Sequence, residues 1–125
     1  MNKNLYKSIH HAFERSWSVE TSVCFSTRAY PSYGQCAQTA IVVCEMFGGE
    51  ILRTTGWHGK GHHFYNQIDN KRIDFTADQF TMPDYSYELR YEDTPSSIEE
   101  AKNETLDGQV NALREAFLRE FKRAN

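Results

Sequence analysis

The sequence predicts an α+β domain with a small antiparallel sheet, in the order helix, helix, sheet, helices. Two observations carry this. Helical apolar spacing marks both ends of the chain and a mostly apolar run, Cys36–Phe47, that stops at Gly48-Gly49. Between them lie two alternating segments joined by the turn residues Asp69-Asn70-Lys71.

Each element follows from its pattern. Leu5, Ile9, Ala12, Phe13 and Trp17 recur at helical spacing and predict an amphipathic helix over 3–16. Residues 18–33 are mixed and read as an irregular loop containing Pro31. The Cys36–Phe47 run is apolar almost all round, which predicts a buried helix, and the glycine pair behind it is a strong stop. Glu50–Thr55 predicts a strand, followed by a Gly-rich loop over 56–61. His62–Ile68 and Arg72–Thr76 predict the arms of a β-hairpin, and Tyr85–Tyr91 a further strand. Ser96-Ser97-Ile98-Glu99 has the capping-box pattern that opens a short helix. Leu106, Val110, Leu113, Phe117 and Phe121 predict a last amphipathic helix with Lys122 and Arg123 complementing its dipole.

Length and composition bound the rest. A chain of 125 residues fits a single domain, 1–125. A domain of this size buries roughly two-thirds of its unfolded surface, enough for a core without disulfides or a structural metal. A net charge of −3 with scattered basic residues argues against nucleic acid as partner. No apolar run is long enough for a bilayer, and the first residues lack the apolar stretch of a signal peptide, so no membrane partner and a cytoplasmic location are expected. An odd number of cysteines, 3, fits a reducing compartment.

The chemistry centres on Cys36. It begins the predicted buried helix, where backbone N–H groups are unpaired and the macrodipole is positive. Both favour a thiolate, and the same N–H groups can form an oxyanion hole. Gly34 leaves the approach open, and the Gln35 side chain is a further candidate oxyanion donor. Cys24 and Cys44 have no such position and read as structural thiols.

A thiolate nucleophile needs a base, and the base an orienting acceptor. His63 and Asp74 lie on the two arms of the hairpin; an even loop, Asp69-Asn70 or Asn70-Lys71, puts them on one face, and an odd loop would put them on opposite faces. Asp74 between Ile73 and Phe75 is costly unless paired. His62 competes as base but points to the other side of the strand, and Asn66 competes as orienter from the face opposite His63. His58, His62, His63 and the cysteines match no zinc spacing, so neither a metal nor a cofactor is expected. Trp57, Tyr33 and Asn66 are the candidate substrate-binding side chains beside Gly34 and Gln35.

Several of these motifs form a wider pattern. Gly34-Gln35-Cys36-Ala37-x-Thr39-Ala40-x-Val42-Val43, Gly48-Gly49-Glu50-Ile51-Leu52-Arg53, His63-Phe64-Tyr65-Asn66-x-Ile68 and Ile73-Asp74-Phe75-Thr76-x-x-Gln79-Phe80 together resemble the bacterial YunG-like family, over about residues 34–80. That family in turn resembles the transglutaminase-like and papain-like superfamily, in which a cysteine at a helix N-terminus meets a histidine and an aspartate on neighbouring strands. The resemblance implies a core of that kind at about 34–80 with a C-terminal helical segment at about 96–123, and favours His63 over His62 as base. The activity it implies is acyl transfer by Cys36, His63 and Asp74 on a small-molecule or peptide substrate, as in a cysteine peptidase, an amidase or a transglutaminase. The alternative is a catalytically inactive binding module of the same fold that holds its ligand in the cleft.

Overall fold

The computed structural model describes residues 1–22, 32, 34–56, 59, 61–81 and 88–124. Its elements are α1 (Lys3–Ser16), α2 (Cys36–Phe47), β1 (Glu50–Thr55), β2 (His62–Ile68), β3 (Lys71–Ile73), β4 (Thr94–Pro95), α3 (Ile98–Lys102) and α4 (Gln109–Ala124), with a 3-10 turn at Ala77–Thr81. The sheet is antiparallel in the order β3-β2-β1-β4, so the domain is α+β.

Local chemistry accounts for the boundaries. Asn2 caps α1 by accepting from the Leu5 N–H at 2.8 Å. Gly48, at φ 80°, follows the last residue of α2. The β2–β3 hairpin turns on Asp69-Asn70, both in the left-handed region (φ 53° and 63°), which is the two-residue type I′ geometry that matches strand twist. Ser97 caps α3 by accepting from the Glu100 N–H at 3.0 Å.

α2 is the central element, packed against β1, β2, α3 and α4. Ala37 to Val43 are buried, as the apolar run predicted, whereas its last turn reaches the surface and Glu45 takes a bidentate contact from Arg114. On one side of α2, Phe13, Trp17, Val42, Val43, Phe75, Leu113 and Phe117 form a core shared with α1 and α4. The Phe13 and Phe117 rings stack at 4.3 Å, and the buried Trp17 indole donates to Thr39 Oγ1 at 2.9 Å. On the other side, Ala37, Ala40 and Ile41 meet Ile51, Phe64 and Ala101.

The structure corrects three expectations. The returning strand stops at Ile73 instead of Thr76, because Asp74 Oδ1 accepts from the Thr76 N–H at 3.2 Å and turns the chain out of the ladder. Leu106 lies before α4 and is 63% exposed, because Gly108 (φ 82°) breaks the helical run. Residues 88–91 are not a strand; the fourth strand is the two-residue β4, paired with β1 through Leu52 and Arg53. The rest of the expected Tyr85–Tyr91 strand lies outside the described residues. Among the described residues no helix is long and apolar enough to cross a membrane.

Candidate active site

Cys36 is the first residue of α2, a free thiol of intermediate exposure. The N-cap residue, Gln35, makes no side-chain capping bond, and the first backbone bond of the helix runs from the Thr39 N–H to the Gln35 carbonyl at 2.9 Å. The N–H groups of the first turn are therefore uncapped by that side chain. Gly34 sits just before, at φ 75°, a conformation that a side chain would strain.

His63 lies near the start of β2 and is 1% exposed. Its Nε2–H donates to Asp74 Oδ2 at 2.7 Å, the contact that the even turn at Asp69-Asn70 permits. Phe80 meets the ring edge-to-face at 4.7 Å and Tyr65 stacks at 5.8 Å, so the imidazole is shielded from water. The other ring nitrogen, Nδ1, is buried and has no hydrogen-bond partner among the described residues. No hydrogen bond closes between Nδ1 and the Cys36 sulfur, yet the thiol is near enough to act on the ring's proton affinity. Burial alone lowers the pKa of His63. The charge and hydrogen bond of Asp74, with a contribution from Cys36, overcome burial and push it up to about 10.

Asp74 is held on both oxygens. Oδ2 accepts from His63 and from the Tyr91 hydroxyl, each at 2.7 Å, and Oδ1 accepts from the N–H and hydroxyl of Thr76 at 3.2 and 3.3 Å. This explains how a carboxylate is tolerated in an apolar setting. Ser32 donates to Asp78 Oδ1 at 2.5 Å and so ties the approach to α2 to the 3-10 turn that follows Asp74.

The structure thus pairs His63 with Asp74 and sets Cys36 near enough to influence the imidazole, with Gly34 two residues before Cys36 in the chain. The other predicted residues fall elsewhere. The Gln35 side chain is fully buried and turned toward the 18–21 turn, its amide donating to the Ser18 carbonyl at 3.0 Å and accepting from the Thr21 hydroxyl at 2.7 Å. Asn66 is buried and donates to the Ala40 carbonyl at 3.0 Å, so it ties β2 to α2. Trp57 and Tyr33, with His58 and Cys24, lie outside the described residues. His62 bridges Arg53 and Glu104, each at 2.9 Å, away from Asp74. Sequence reasoning did not name Tyr91 or Phe80 as site residues. Phe80 closes the Ile73–Phe80 motif without being singled out there, and no local pattern marks Tyr91. A cleft of about 590 Å³ between α2, α3 and α4 contains none of the Cys36–His63–Asp74 set. Among the described residues no group of three or more His, Cys, Asp or Glu side chains is gathered to hold a metal.

The YunG protein family matches over residues 5–122. The chain belongs to the YunG family. It is 40% identical over 111 residues to "Uncharacterized protein YunG" of Bacillus subtilis (strain 168), which covers 89% of this chain and 90% of that protein. No solved structure matches the chain. The YunG match runs well beyond residues 34–80 and takes in nearly all of both end helices, with Cys36, His63 and Asp74 inside the matched range.

Proposed function

We propose that the protein is a thiol-dependent acyl-transfer enzyme of the cysteine peptidase, amidase or transglutaminase-like kind, acting on a small-molecule or peptide substrate. Cys36 is the nucleophile, His63 the proton shuttle and Asp74 the residue that holds the imidazole. The observation that carries the reading is the division of labour on the His63 ring: Nε2 is occupied by Asp74, and the unpartnered Nδ1 is the nitrogen left for the thiol. A buried nitrogen without a partner is uncommon, and it suits a group whose partner is a reacting proton. The arrangement of an N-terminal cysteine on a buried helix, packed on an antiparallel sheet carrying His and Asp, supports the resemblance to the papain-like and transglutaminase-like core.

The steps balance without a cofactor. His63, its pKa pushed up to about 10, already holds a proton on Nδ1 in the neutral range, so Cys36 attacks the substrate carbonyl carbon as the thiolate of a thiolate–imidazolium pair. The oxyanion is met by first-turn N–H groups of α2, those of Cys36 and Ala37 being nearest the sulfur in the chain. Collapse of the intermediate breaks the bond to the leaving group, which takes the proton from Nδ1 and leaves a thioester on Cys36. Water or an amine then gives its proton to Nδ1, attacks the thioester and releases the sulfur. A reducing, cytoplasmic setting would keep Cys36 free for this role.

The near-complete burial of His63 favours a second reading, a non-catalytic module that holds its ligand in the cleft with the triad as a structural network. Incubation with p-nitrophenyl acetate and peptide mapping by mass spectrometry decides between them. The proposal predicts acetylation of Cys36 ahead of Cys24 and Cys44, abolished in Cys36→Ser and strongly reduced in His63→Ala. Equal, slow acetylation of all three cysteines would instead favour the binding module.

A further inference from the structure

Residues 90–93 are anchored beside the His63–Asp74 pair by polar contacts to β1, β2 and β3. Thr54 Oγ1 donates to the Arg90 carbonyl at 2.5 Å, and the Glu92 carboxylate accepts from the Thr55 N–H and hydroxyl at 2.7 Å. Asp93 takes a bidentate contact from Arg72, with its N–H donating to the Tyr65 hydroxyl at 2.8 Å. Between these anchors the Tyr91 ring is held on two sides. Tyr65 packs edge-to-face on it at 4.9 Å, and the Arg72 guanidinium lies over it at 4.3 Å. A side chain fixed this firmly delivers its hydroxyl to one point, which is the same carboxylate oxygen that receives His63.

We propose that Tyr91 is a positioning residue for the His63–Asp74 pair, holding the Asp74 carboxylate in the orientation that serves the imidazole and sharing the charge on Oδ2 that His63 otherwise faces alone. The inference rests on the reading of Cys36, His63 and Asp74 as a working triad. A tyrosine kept only for packing would need the ring and not the hydroxyl. Here the hydroxyl and the His63 N–H approach the same oxygen at equal distance, so removing one donor leaves the other with a more strongly charged acceptor. The groups that face the pair are Cys36 from α2, Tyr91 with Arg72 and Asp93 behind it, and Tyr6 from α1 at longer range, itself influenced by Asp78. Burial and Asp74 together raise the pKa of Tyr91, which keeps its hydroxyl a donor throughout the neutral range.

Tyr91→Phe tests this, because it keeps the ring and removes only the hydroxyl. The His63 titration, followed by NMR of the imidazole, is expected to shift upward by on the order of one pH unit, with the thermal midpoint changed by only a few degrees. A folded Tyr91→Phe protein with an unmoved or lowered His63 midpoint would overturn the proposal. Should Tyr91→Phe fail to fold, Arg72→Lys keeps the local charge but loses the planar contact over the ring; a smaller upward shift supports the role, and no shift overturns it. The titration is read whether or not Cys36 reacts. Failure of the triad reading would appear as an unreactive Cys36 in the parent protein, and failure of this inference as an unmoved His63 beside a reactive Cys36.

Discussion

Raising the pH should weaken the fold through His63, and Asp74→Asn should remove that weakness. In the unfolded chain His63 titrates near 6.5, and in the folded protein its pKa is pushed up to about 10. Below pH 6.5 both states carry the proton and the pair contributes its full stabilisation. As pH rises above 6.5 the unfolded chain loses the proton while the folded protein keeps it, so the contribution declines until the folded pKa is passed. Each unit of pH in this window removes about 1.36 kcal/mol, so on the order of 3 kcal/mol is lost between pH 6.5 and 9. That is a large fraction of the roughly 5–15 kcal/mol that holds a domain together. Tyr6, Tyr65, Tyr91 and Cys44 also have raised pKa values, but from starting points of 10.0 and 9.0, so they act above this window. In Asp74→Asn the burial of His63 has no opposing carboxylate, and the decline should vanish. Urea unfolding of both proteins at several pH values between 6.5 and 9 gives the difference directly, because groups common to both cancel. Parallel stability curves for the two proteins would refute the reasoning.

Other perturbations have equally definite outcomes. Phe117→Ala removes a fully buried ring stacked on Phe13 and should cost about 3–5 kcal/mol in urea unfolding. Gly49→Ala places a Cβ 2.3 Å from the Gln67 carbonyl oxygen at φ 79° and should be the more harmful of the glycine-pair changes; Gly48→Ala meets open space but sits at φ 80° and ψ −157°, a region essentially confined to glycine, and should cost about 1–3 kcal/mol. Arg114→Ala breaks a bidentate but partly exposed contact with Glu45, so it should cost no more than about 1 kcal/mol, less at high salt.

What could be read in the sequence was the part set by local chemistry. α1 and α2 were legible to the residue because Leu5, Ile9 and Phe13 recur at helical spacing and Gly48-Gly49 ends the apolar run. The register that pairs His63 with Asp74 was only half legible: Asp69-Asn70-Lys71 marked a turn but left its length open, and the positive φ of Asp69 and Asn70 in the fold makes it a two-residue turn. The misreadings come where a local signal was outweighed or overlooked. Spacing back from Val110 suggested Leu106 as helical, but Gly108 ends the helix between them. The strand after the turn was drawn too long because alternation through Phe75 concealed the turn that Asp74 makes with Thr76. β4 is two residues long and contains Pro95, so neither periodicity nor propensity reveals it. The Gln35 side chain found buried partners far along the chain, in Ser18 and Thr21, and Tyr91 reaches Asp74 from 17 residues away. Such long-range choices depend on how the packed elements meet, and no short window of sequence contains them.

Alkylation of the cysteines tests the central claim most directly. The protein and its His63→Ala variant are treated with iodoacetamide at mildly acidic pH, and the occupancy of each cysteine is followed by mass spectrometry. The account predicts that Cys36 is modified well before Cys24 and Cys44 in the parent protein and loses that lead in His63→Ala. Equal, sluggish labelling of all three cysteines, or a Cys36 whose rate is indifferent to the loss of His63, would contradict it.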